Sequence, residues 1–409
     1  MTAPSRNSME WQNLMTLFTL NKNRTHSLLR VPFAVLLLAF VCSTVPAAVQ
    51  ESSADRLHSH VSWLADSARQ GRRAGSVGAA DSAKYISDQF RQLGFEVQVQ
   101  EFGRNRRNVI ARYGTAPKTI LAGAHYDGQG PGFPSAGDNA AGVAVLLELA
   151  RNMKEANLSA TLVLCAFDDE EQGLNGSVYF ADHSTIPLEN VYAAIVFDAL
   201  GRRFMDLNQW TTIVLGEEYS PELTSIVRKH SEKDMQMIGA DLIGPRSDFA
   251  PFAAKRVPFL FFSDGTYKDY HGAGDTAERI DYMRLSKETK LIGDVLRDIA
   301  AMKVRPMYLE KPEYPEGETA GLLKLLNSAI NEKPSLAPAY RLMFEDLKTR
   351  MPSDKTRDSI RMATSAFLAL ATPSHARYFL EYELEPYFES LHKTEIVKAI
   401  RDEASRSGR

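Results

Sequence analysis

The sequence predicts an α/β fold in which helices flank both faces of a mostly parallel mixed sheet. The apolar runs TILAGAH (119–125), TLVLCAF (161–167) and VYAAIVFD (191–198) lack the polar alternation of half-exposed strands. Such continuous runs are typical of strands that are buried on both faces. Amphipathic helical patterns separate them, as expected for parallel strands joined by helical crossovers. From residue 319 onward the patterns are helical throughout, which predicts an all-helical C-terminal appendage.

Hydrophobic periodicity assigns the elements in chain order. Helical spacing covers Ala54–Leu64 and Ala79–Leu93, and FEVQVQEF and RNVIARYG then alternate like the two strands of a hairpin. The rest of the pattern alternates the strands at 119–125, 161–167, 191–198 and 257–262 with helices at 142–156, SVYFADH, PELTSIVRKHSEK, DFAPFAAK and 285–302.

The N-terminal 48 residues are predicted to be a signal peptide with an extension before it. The apolar run VPFAVLLLAFVCSTVPAAV (31–49) follows Arg24 and Arg30 and ends in small residues around Pro46. A basic flank, an apolar centre and small residues at the end are typical of a secretory signal. We therefore expect an exported protein, periplasmic or secreted, without a stable membrane span after the signal is removed. An uncleaved membrane anchor is the alternative.

The remaining chain divides into a large domain, a linker and the helical extension. The large domain is expected at 52–304, and a segment rich in proline and glutamate links it at 305–318 to the extension at 319–409. The chain has 409 residues, is 44% hydrophobic and 24% charged, and carries a formal net charge of -3. This balance is that of an ordinary globular protein, and it excludes the strongly basic footprint of a nucleic-acid binder.

Ionisable residues gather where the predicted strands end. The stretch FDDEEQGLNGS places four carboxylates, Asp168 to Glu171, directly after one strand, and His125, Asp127 and Asp198 end two others. In open α/β sheets the carboxyl ends of the strands form the ligand-binding edge. So many carboxylates in one cleft require positive charge. With His125 and His271, which lies in the loop after the last predicted strand, they fit a dinuclear site of zinc, cobalt or manganese.

Six motifs carry a resemblance to a known family. AGAHYDGQG, SAGDNAAGVAVLLELAR, FDDEEQGLNGS, FDALG, GPRSDFAPF and YHGAGDT follow one another in this order. Together they resemble the co-catalytic zinc aminopeptidases, whose superfamily includes bacterial leucyl aminopeptidases, glutamate carboxypeptidases and glutaminyl cyclases. The resemblance extends from Ala54 to Met302.

The resemblance implies a role for each matching residue. His125 and Glu171 would bind one zinc ion, Asp198 and His271 would bind a second, and Asp138 would bridge the two. The same match makes Glu170 the general base, Asp127 the residue behind His125, Tyr270 an oxyanion-stabilising phenol, and Arg246 a contact to the substrate backbone.

The function implied by this match is hydrolysis of N-terminal residues from peptides that have a free N-terminus. One alternative is a glutaminyl cyclase type of enzyme with a single zinc ion, and another is a non-catalytic binding module on a peptidase fold. Asp168 and Asp169 are expected to lie in a solvated turn or behind the site, without a chemical role. Asp248 is expected to cap the helix DFAPFAAK, and Asp275 to orient the His271 loop.

The helical extension contributes none of these residues, yet its helices are rich in leucine and aromatic residues. Apolar residues at helical spacing must be buried somewhere. The sequence leaves open a lid on the large domain, a self-association surface or an independent unit. We expect a partial lid that restricts access for large substrates, so that removal after Glu310 would spare small substrates. The oligomeric state is also left open.

Overall fold

The computed structural model describes residues 51–231, 234–333, 336–352, 357–371 and 376–407, and within them eight strands form one mixed sheet. The spatial order is β1-β2-β4-β3-β5-β8-β6-β7. The strands are β1 (Glu96–Phe102), β2 (Arg106–Tyr113), β3 (Thr119–His125), β4 (Thr161–Phe167), β5 (Val191–Phe197), β6 (Thr212–Leu215), β7 (Met235–Met237) and β8 (Phe259–Ser263).

The centre of the sheet is parallel and its edges introduce the antiparallel pairs. β4, β3, β5 and β8 run parallel to one another. β2 pairs antiparallel with β1 and β4, while β6 pairs antiparallel with β8 and parallel with β7. The prediction of a mostly parallel mixed sheet flanked by helices is confirmed.

The two strands that the sequence analysis missed are short. β6 has four residues, and β7 has three that are all partly exposed, so neither gives a clear periodic pattern. β8 begins two residues later than predicted, just after Pro258. Proline has no N–H to donate to a neighbouring strand, which disfavours it inside a ladder.

The helices of the large domain are α1 (Ser53–Ala65), α2 (Val77–Gln92), α3 (Ala141–Glu155), α4 (Asn175–Asp182), α5 (Pro221–Lys229), α6 (Ala250–Ala254) and α7 (Tyr282–Ala301). The C-terminal segment contains α8 (Glu318–Glu332), α9 (Pro338–Arg350), α10 (Asp358–Ala371), α11 (Ala376–Tyr378), α12 (Glu385–Ser390) and α13 (Thr394–Ser407), with a π-helical turn at Phe379–Leu384.

Each face of the sheet supports its own hydrophobic core because alternate residues of a strand point to opposite faces. In β4, Leu162 and Leu164 belong to a core with α1, α2, α3 and α7. Val163 and Cys165 belong to the opposite core, which contains α4 and α6. The residues of β3 and β4 are all buried, as the continuous apolar runs predict.

The second core continues into the C-terminal helices. It joins Phe252 of α6 and Phe259 of β8 to Leu326 of α8, Phe344 of α9 and Phe367 of α10. The C-terminal segment therefore packs against the large domain through buried apolar side chains. The segment and the large domain belong to the same compact unit, which begins at Glu51.

The predicted signal peptide, residues 1–48, lies outside the described residues. Of the helices that the structure does describe, none is both long and apolar enough to cross a bilayer.

Candidate metal centre

The carboxyl ends of β3, β4 and β5 lie side by side at one edge of the sheet. β3 pairs with β4 on one side and with β5 on the other. His125, the last residue of β3, therefore lies between the carboxylates that follow β4 and Asp198, which follows β5. The predicted strand-end residues thus converge because of the order of the strands.

One group of possible metal ligands consists of His125, Glu170 and Asp198, whose ligand atoms all lie within 4.8 Å of one another. His125 Nε2 is 3.3 Å from Asp198 Oδ1. The hydroxyl of Ser247 donates to Asp198 Oδ2 over 3.1 Å and so fixes the orientation of that carboxylate. Burial is nearly complete for His125, which leaves little competition from bulk water.

A second group consists of Asp138, Glu171 and His271, again with ligand atoms within 4.8 Å of one another. His271 Nε2 is 3.2 Å from Glu171 Oε2, which also accepts a hydrogen bond from the amide of Gln129. His271 is the more exposed of the two site histidines. This side of the site therefore faces the solvent.

Asp138 belongs to the second group and also faces the histidine of the first. Its Oδ1 is 3.2 Å from His125 Nε2, and its Oδ2 is 2.9 Å from His271 Nε2. Each carboxylate oxygen thus faces the histidine of a different group. This is the arrangement that a carboxylate bridging two metal ions requires.

The structure contradicts one detail of the sequence interpretation. That interpretation paired His125 with Glu171 and Asp198 with His271. In the structure His125 is grouped with Asp198, and Glu171 is grouped with His271. The cause is the position of β3 between β4 and β5, which brings Asp198 next to His125.

Asp275 fixes the loop that carries Asp138. Its carboxylate accepts the backbone N–H of Gly137 over 3.0 Å and that of Asp138 over 3.1 Å. A Cβ at Gly137 would come within 2.2 Å of the Tyr267 hydroxyl, so only glycine fits this close approach. Asp275 follows the His271 loop, and it therefore joins the loop of one histidine to the bridging carboxylate.

Asp127 positions both of the adjacent glutamates. It is fully buried, and it accepts the N–H of Glu170 over 3.0 Å and that of Glu171 over 3.3 Å. Its Oδ1 is also 3.5 Å from Nδ1 of His125. A single carboxylate thus orients the backbone of two glutamates and the ring of a histidine, as expected for a residue behind a metal ligand.

Sequence reasoning missed Arg72, Asn139, Ser247 and Gln129. Arg72 is fully buried and donates to the carbonyl oxygens of Tyr126, Leu64, Pro134 and Ser135, which holds the chain between β3 and Asp138. Asn139 donates to the carbonyl of Phe197 over 3.1 Å and accepts the N–H of Gly142, so it ties the start of α3 to β5. The two adjacent arginines of the GRRAG stretch could have drawn attention to Arg72, but the sequence does not reveal which of them is buried.

The electrostatics of the cluster fit bound cations. Burial raises the pKa of Glu170 well above its usual value, and the neighbouring carboxylates add to this against the opposing effect of His125. Burial and the charge of Asp138 raise the pKa of Glu171 to about 7. Burial opposes the charged form of His271, but Asp138 and Glu171 outweigh it and raise its pKa to about 11.

Two imidazoles and several carboxylates form a donor set that zinc accepts. Glu171 Oε1 is buried and has no hydrogen-bond partner among the described residues. A buried carboxylate oxygen without a partner is costly unless a cation or a donor meets it. The residues present therefore fit a pair of metal ions, of which one would be held by His125 with Asp198 and the other by His271 with Glu171, and Asp138 would be shared.

Tyr270 and Arg246 line the cavity that opens onto this cluster. The Tyr270 ring stacks on His271 with 4.0 Å between ring centroids. Burial and the nearby carboxylates raise the pKa of Tyr270 well above its usual value, so the hydroxyl stays protonated and can donate. The guanidinium of Arg246 lies 4.9 Å from the ring centroid of Phe379 in the C-terminal segment.

The three other aspartates of the motifs, Asp168, Asp169 and Asp248, are buried. Asp168 accepts the N–H of Arg107 over 3.0 Å, and Asp169 pairs with Arg106 over 3.0 Å. Both are buried, so the expectation of a solvated turn is wrong, whereas a place behind the site agrees with these contacts. The prediction that Asp248 caps α6 is also wrong: that helix has no side-chain cap, and Asp248 is buried.

Comparisons with known proteins identify a matching family and similar chains. A model of the family described as "Peptidase family M28" matches residues 108–296. The chain is 26% identical over 286 residues to the uncharacterized protein YfbL of Escherichia coli (strain K12), covering 60% of this chain and 88% of YfbL. It is 26% identical over 206 residues to aminopeptidase YwaD of Bacillus subtilis (strain 168), covering 48% of this chain and 44% of YwaD.

Among solved structures, the fold is similar to that of an aminopeptidase from Aneurinibacillus sp. strain AM-1. The TM-score is 0.54 at 18% identity, and the match covers 64% of this chain and 97% of that one. At this identity the likeness concerns the fold. The family match over residues 108–296 confirms the resemblance to the co-catalytic zinc aminopeptidase superfamily for that part of the chain, and the likeness in fold agrees with it.

Proposed function

We propose that this protein is an exported metal-dependent aminopeptidase that removes N-terminal residues from peptides by means of two zinc ions and Glu170 as general base. The coarse activity rests on the family match and on a curated aminopeptidase relative. The finer assignments of ion number, residue roles and export are our proposals.

The observation that carries the proposal is the position of Asp138 between two histidines. Its two oxygens face His125 and His271 from opposite sides, at 3.2 and 2.9 Å. A carboxylate whose oxygens face two ligand groups can span the roughly 3.5–4 Å between two co-catalytic ions, whereas a single ion would use only one of those groups. Two groups of possible ligands support two ions per chain, since Asp138 belongs to one group and its Oδ1 lies 3.2 Å from His125 Nε2 of the other.

Bound zinc would supply a Lewis acid that polarises the scissile carbonyl and lowers the pKa of the attacking water. Glu170 stands beside His125 and Asp198, within reach of that position. It would accept the proton of the water and deliver it to the leaving amine. Asp127 holds the backbone of Glu170 in place, and Tyr270 lines the cavity with a hydroxyl that can donate to the developing oxyanion.

The acidic surroundings also support recognition of a free N-terminus. Glu170, Glu171 and Asp198 line the same cavity, and an α-ammonium group is the cation that a peptide N-terminus offers. Arg246 lines the cavity as well and can contact a substrate carbonyl. A peptide whose N-terminus is acetylated lacks the charge that this arrangement recognises.

The test is an assay of the zinc-loaded protein on aminoacyl anilides with free and with acetylated N-termini. We expect hydrolysis of the free substrates, its loss after chelation, and recovery when zinc is added back. Acetylated substrates should be poor. Equal turnover of both forms would contradict aminopeptidase specificity.

The two alternatives give different results in the same series. A glutaminyl cyclase would release ammonia from a peptide that begins with glutamine and would leave other aminoacyl anilides unchanged. A binding module would turn over none of them. The presence of a second group of possible ligands, Asp138 with Glu171 and His271, favours an aminopeptidase with two ions over a cyclase with one ion.

Export rests on the sequence pattern at residues 31–49. Expression of the full chain in a bacterium should yield a mature N-terminus near Ala48 in the exported fraction. A full-length chain that stays with the membranes would support the uncleaved anchor instead.

A further inference from the structure

The cavity at the candidate metal centre is lined in part by the C-terminal helices. It has a volume of about 400 Å³. Glu170, Glu171 and Asp198 line one part of it, whereas Leu322 and Leu325 of α8 and Phe367 of α10 line another. These helices follow residue 296, where the match to the peptidase family ends. The wall that they form is therefore a feature of this chain outside the matched region.

The large domain supplies apolar side chains to the same cavity. The cavity is also lined by Phe204, Ile213, Leu215, Ile238 and Phe261. The cavity thus combines carboxylates in one part with an extensive apolar lining in the other. A ligand that fits both parts carries a cationic amine and, next to it, a large apolar group.

The wall is held firmly against the large domain. Phe367 meets Phe204 edge-on with 5.5 Å between ring centroids, and both belong to the core shared by the two segments. A Cβ at Gly321 of α8 would lie 1.6 Å from the end of the Gln236 side chain, so this helix lies directly against a residue of β7.

Charged contacts fix the two helices to each other and to the loop before Arg246. The guanidinium of Arg357, next to the start of α10, pairs with Glu318 of α8 and, over 2.8 Å, with Asp241. Glu318 also accepts the N–H of Gly239 over 2.6 Å. Residues of α8 and α10 therefore cannot withdraw from the cavity without breaking these partly buried ion pairs.

We propose that α8 and α10 form the far wall of the pocket that receives the N-terminal side chain of the substrate, with Leu325 and Phe367 setting its size limit. The substrates are then peptides that begin with a large apolar residue. This inference rests on the proposed aminopeptidase function and deepens it. A volume of about 400 Å³ lies in the range of small-molecule sites, roughly 300–1,000 Å³, and accommodates a whole bulky residue.

The test changes the wall without touching the metal centre. Leu325→Phe narrows the pocket and Leu325→Ala widens it, while Leu326→Ala is the matched control. Leu326 is a fully buried neighbour on the same helix, and it does not line the cavity. Zinc content and thermal midpoint are measured for each zinc-loaded protein, and kcat/KM is measured for alanyl, leucyl and phenylalanyl anilides.

We expect Leu325→Phe to lower the phenylalanyl-to-alanyl ratio of kcat/KM by at least about tenfold, since a change of one methylene in an apolar pocket is worth about 10–200-fold. Leu325→Ala should raise that ratio. Leu326→Ala should leave it within about twofold of the parent protein. Equal ratios in the parent, both Leu325 variants and the control, with zinc content unchanged, would overturn the inference.

A binding measurement separates failure of the wall from failure of the proposed activity. A series from n-butylamine to n-octylamine is added to the zinc-loaded protein and the rise in thermal midpoint is recorded. The rise should grow with chain length in the parent and in Leu326→Ala, and should level off early in Leu325→Phe. If this pattern appears but no anilide is hydrolysed, the proposed aminopeptidase activity is wrong and the proposed pocket wall is supported. If the chain length of the amine has no effect on the thermal midpoint, the proposed pocket wall is wrong.

Discussion

Glu170 and Glu171 are adjacent in the chain but face different neighbours. The carboxylate of Glu170 lies with His125 and Asp198, whereas that of Glu171 lies with Asp138 and His271. Asp127 accepts both backbone N–H groups and so fixes the two glutamates together. One residue can therefore act as a base while the next binds metal.

Glu170→Gln should separate these two functions. The amide is nearly the same size, so the fold and the zinc content should be retained, while proton transfer is lost. General-base catalysis is worth about 10²–10⁴-fold, and kcat should fall by at least that much. Zinc analysis and steady-state kinetics on the same preparation make the test. Near-normal turnover with full zinc content would mean that Glu170 is not the base.

Asp138→Asn tests the shared carboxylate. Because its two oxygens face the histidines of both groups, the variant should bind both ions more weakly. His271→Ala should mainly weaken the ion held with Glu171, and His125→Ala the ion held with Asp198. Zinc is counted after dialysis against a weak chelator. Retention of both ions by the Asp138 variant would contradict a bridging role.

The pH dependence of stability tests whether the carboxyl of Asp248 is held in an unfavourable buried position. Burial raises the pKa of Asp248 to about 7 from its usual 3.8, with Asp127 and Asp198 adding to the effect against His125 and Ser177. A folded-state pKa above the unfolded value means that the carboxyl destabilises the fold progressively as the pH rises from about 4 through about 7. In the metal-free protein, Asp248→Asn should therefore raise the thermal midpoint at about pH 8 more than at about pH 5.

The control for this variant is Asp81→Asn, which changes an exposed residue of α2 in the same way. Its effect on the thermal midpoint should be small and similar at both pH values. If Asp248→Asn shows no more pH dependence than the control, the carboxyl is not held in an unfavourable buried state.

At the scale of elements, long strands were predictable from sequence and side-chain pairing was not. The runs at β3, β4 and β5 are apolar throughout, so their burial could be read directly. The convergence of their ends followed from the rule for parallel sheets. The pairing of His125 with Asp198 depends on β3 lying between β4 and β5, an order that chain sequence does not contain.

The supporting residues could not be predicted for a related reason. Asp275 contacts the backbone of Gly137, 138 positions away in the chain, and Arg72 contacts Ser135 across 63 positions. Neither contact follows from local pattern or spacing. The roles of such residues become visible when loops from distant parts of the chain meet at the sheet edge.

Arg357 tests the attachment of α8 and α10. Arg357→Ala leaves the buried Glu318 without its cation, and breaking such a pair costs about 3–5 kcal/mol. The control is Arg361→Ala, because Arg361 is half exposed and its contact with Asp241 is 3.8 Å long. An exposed pair is worth about 0–1 kcal/mol. Denaturant unfolding measures both variants, and equal losses would contradict a special role for Arg357.

At the scale of the whole molecule, the C-terminal segment belongs to the hydrophobic core and to the cavity lining. The sequence analysis expected a partial lid, with small substrates unaffected by its removal. The segment instead shares a hydrophobic core with α6 and β8 and lines the cavity itself. Removal after Glu310 would expose that core and open the pocket, so we now expect activity on small apolar substrates to fall as well.

The central claim is a metal centre that holds two ions through Asp138, and counting the ions tests it most directly. The protein is stripped with a chelator, dialysed, and titrated with zinc while bound metal and hydrolysis of a leucyl anilide are followed together. The account predicts two tightly bound ions per chain, with full activity when both are present. One ion per chain, or none, at full saturation would contradict it.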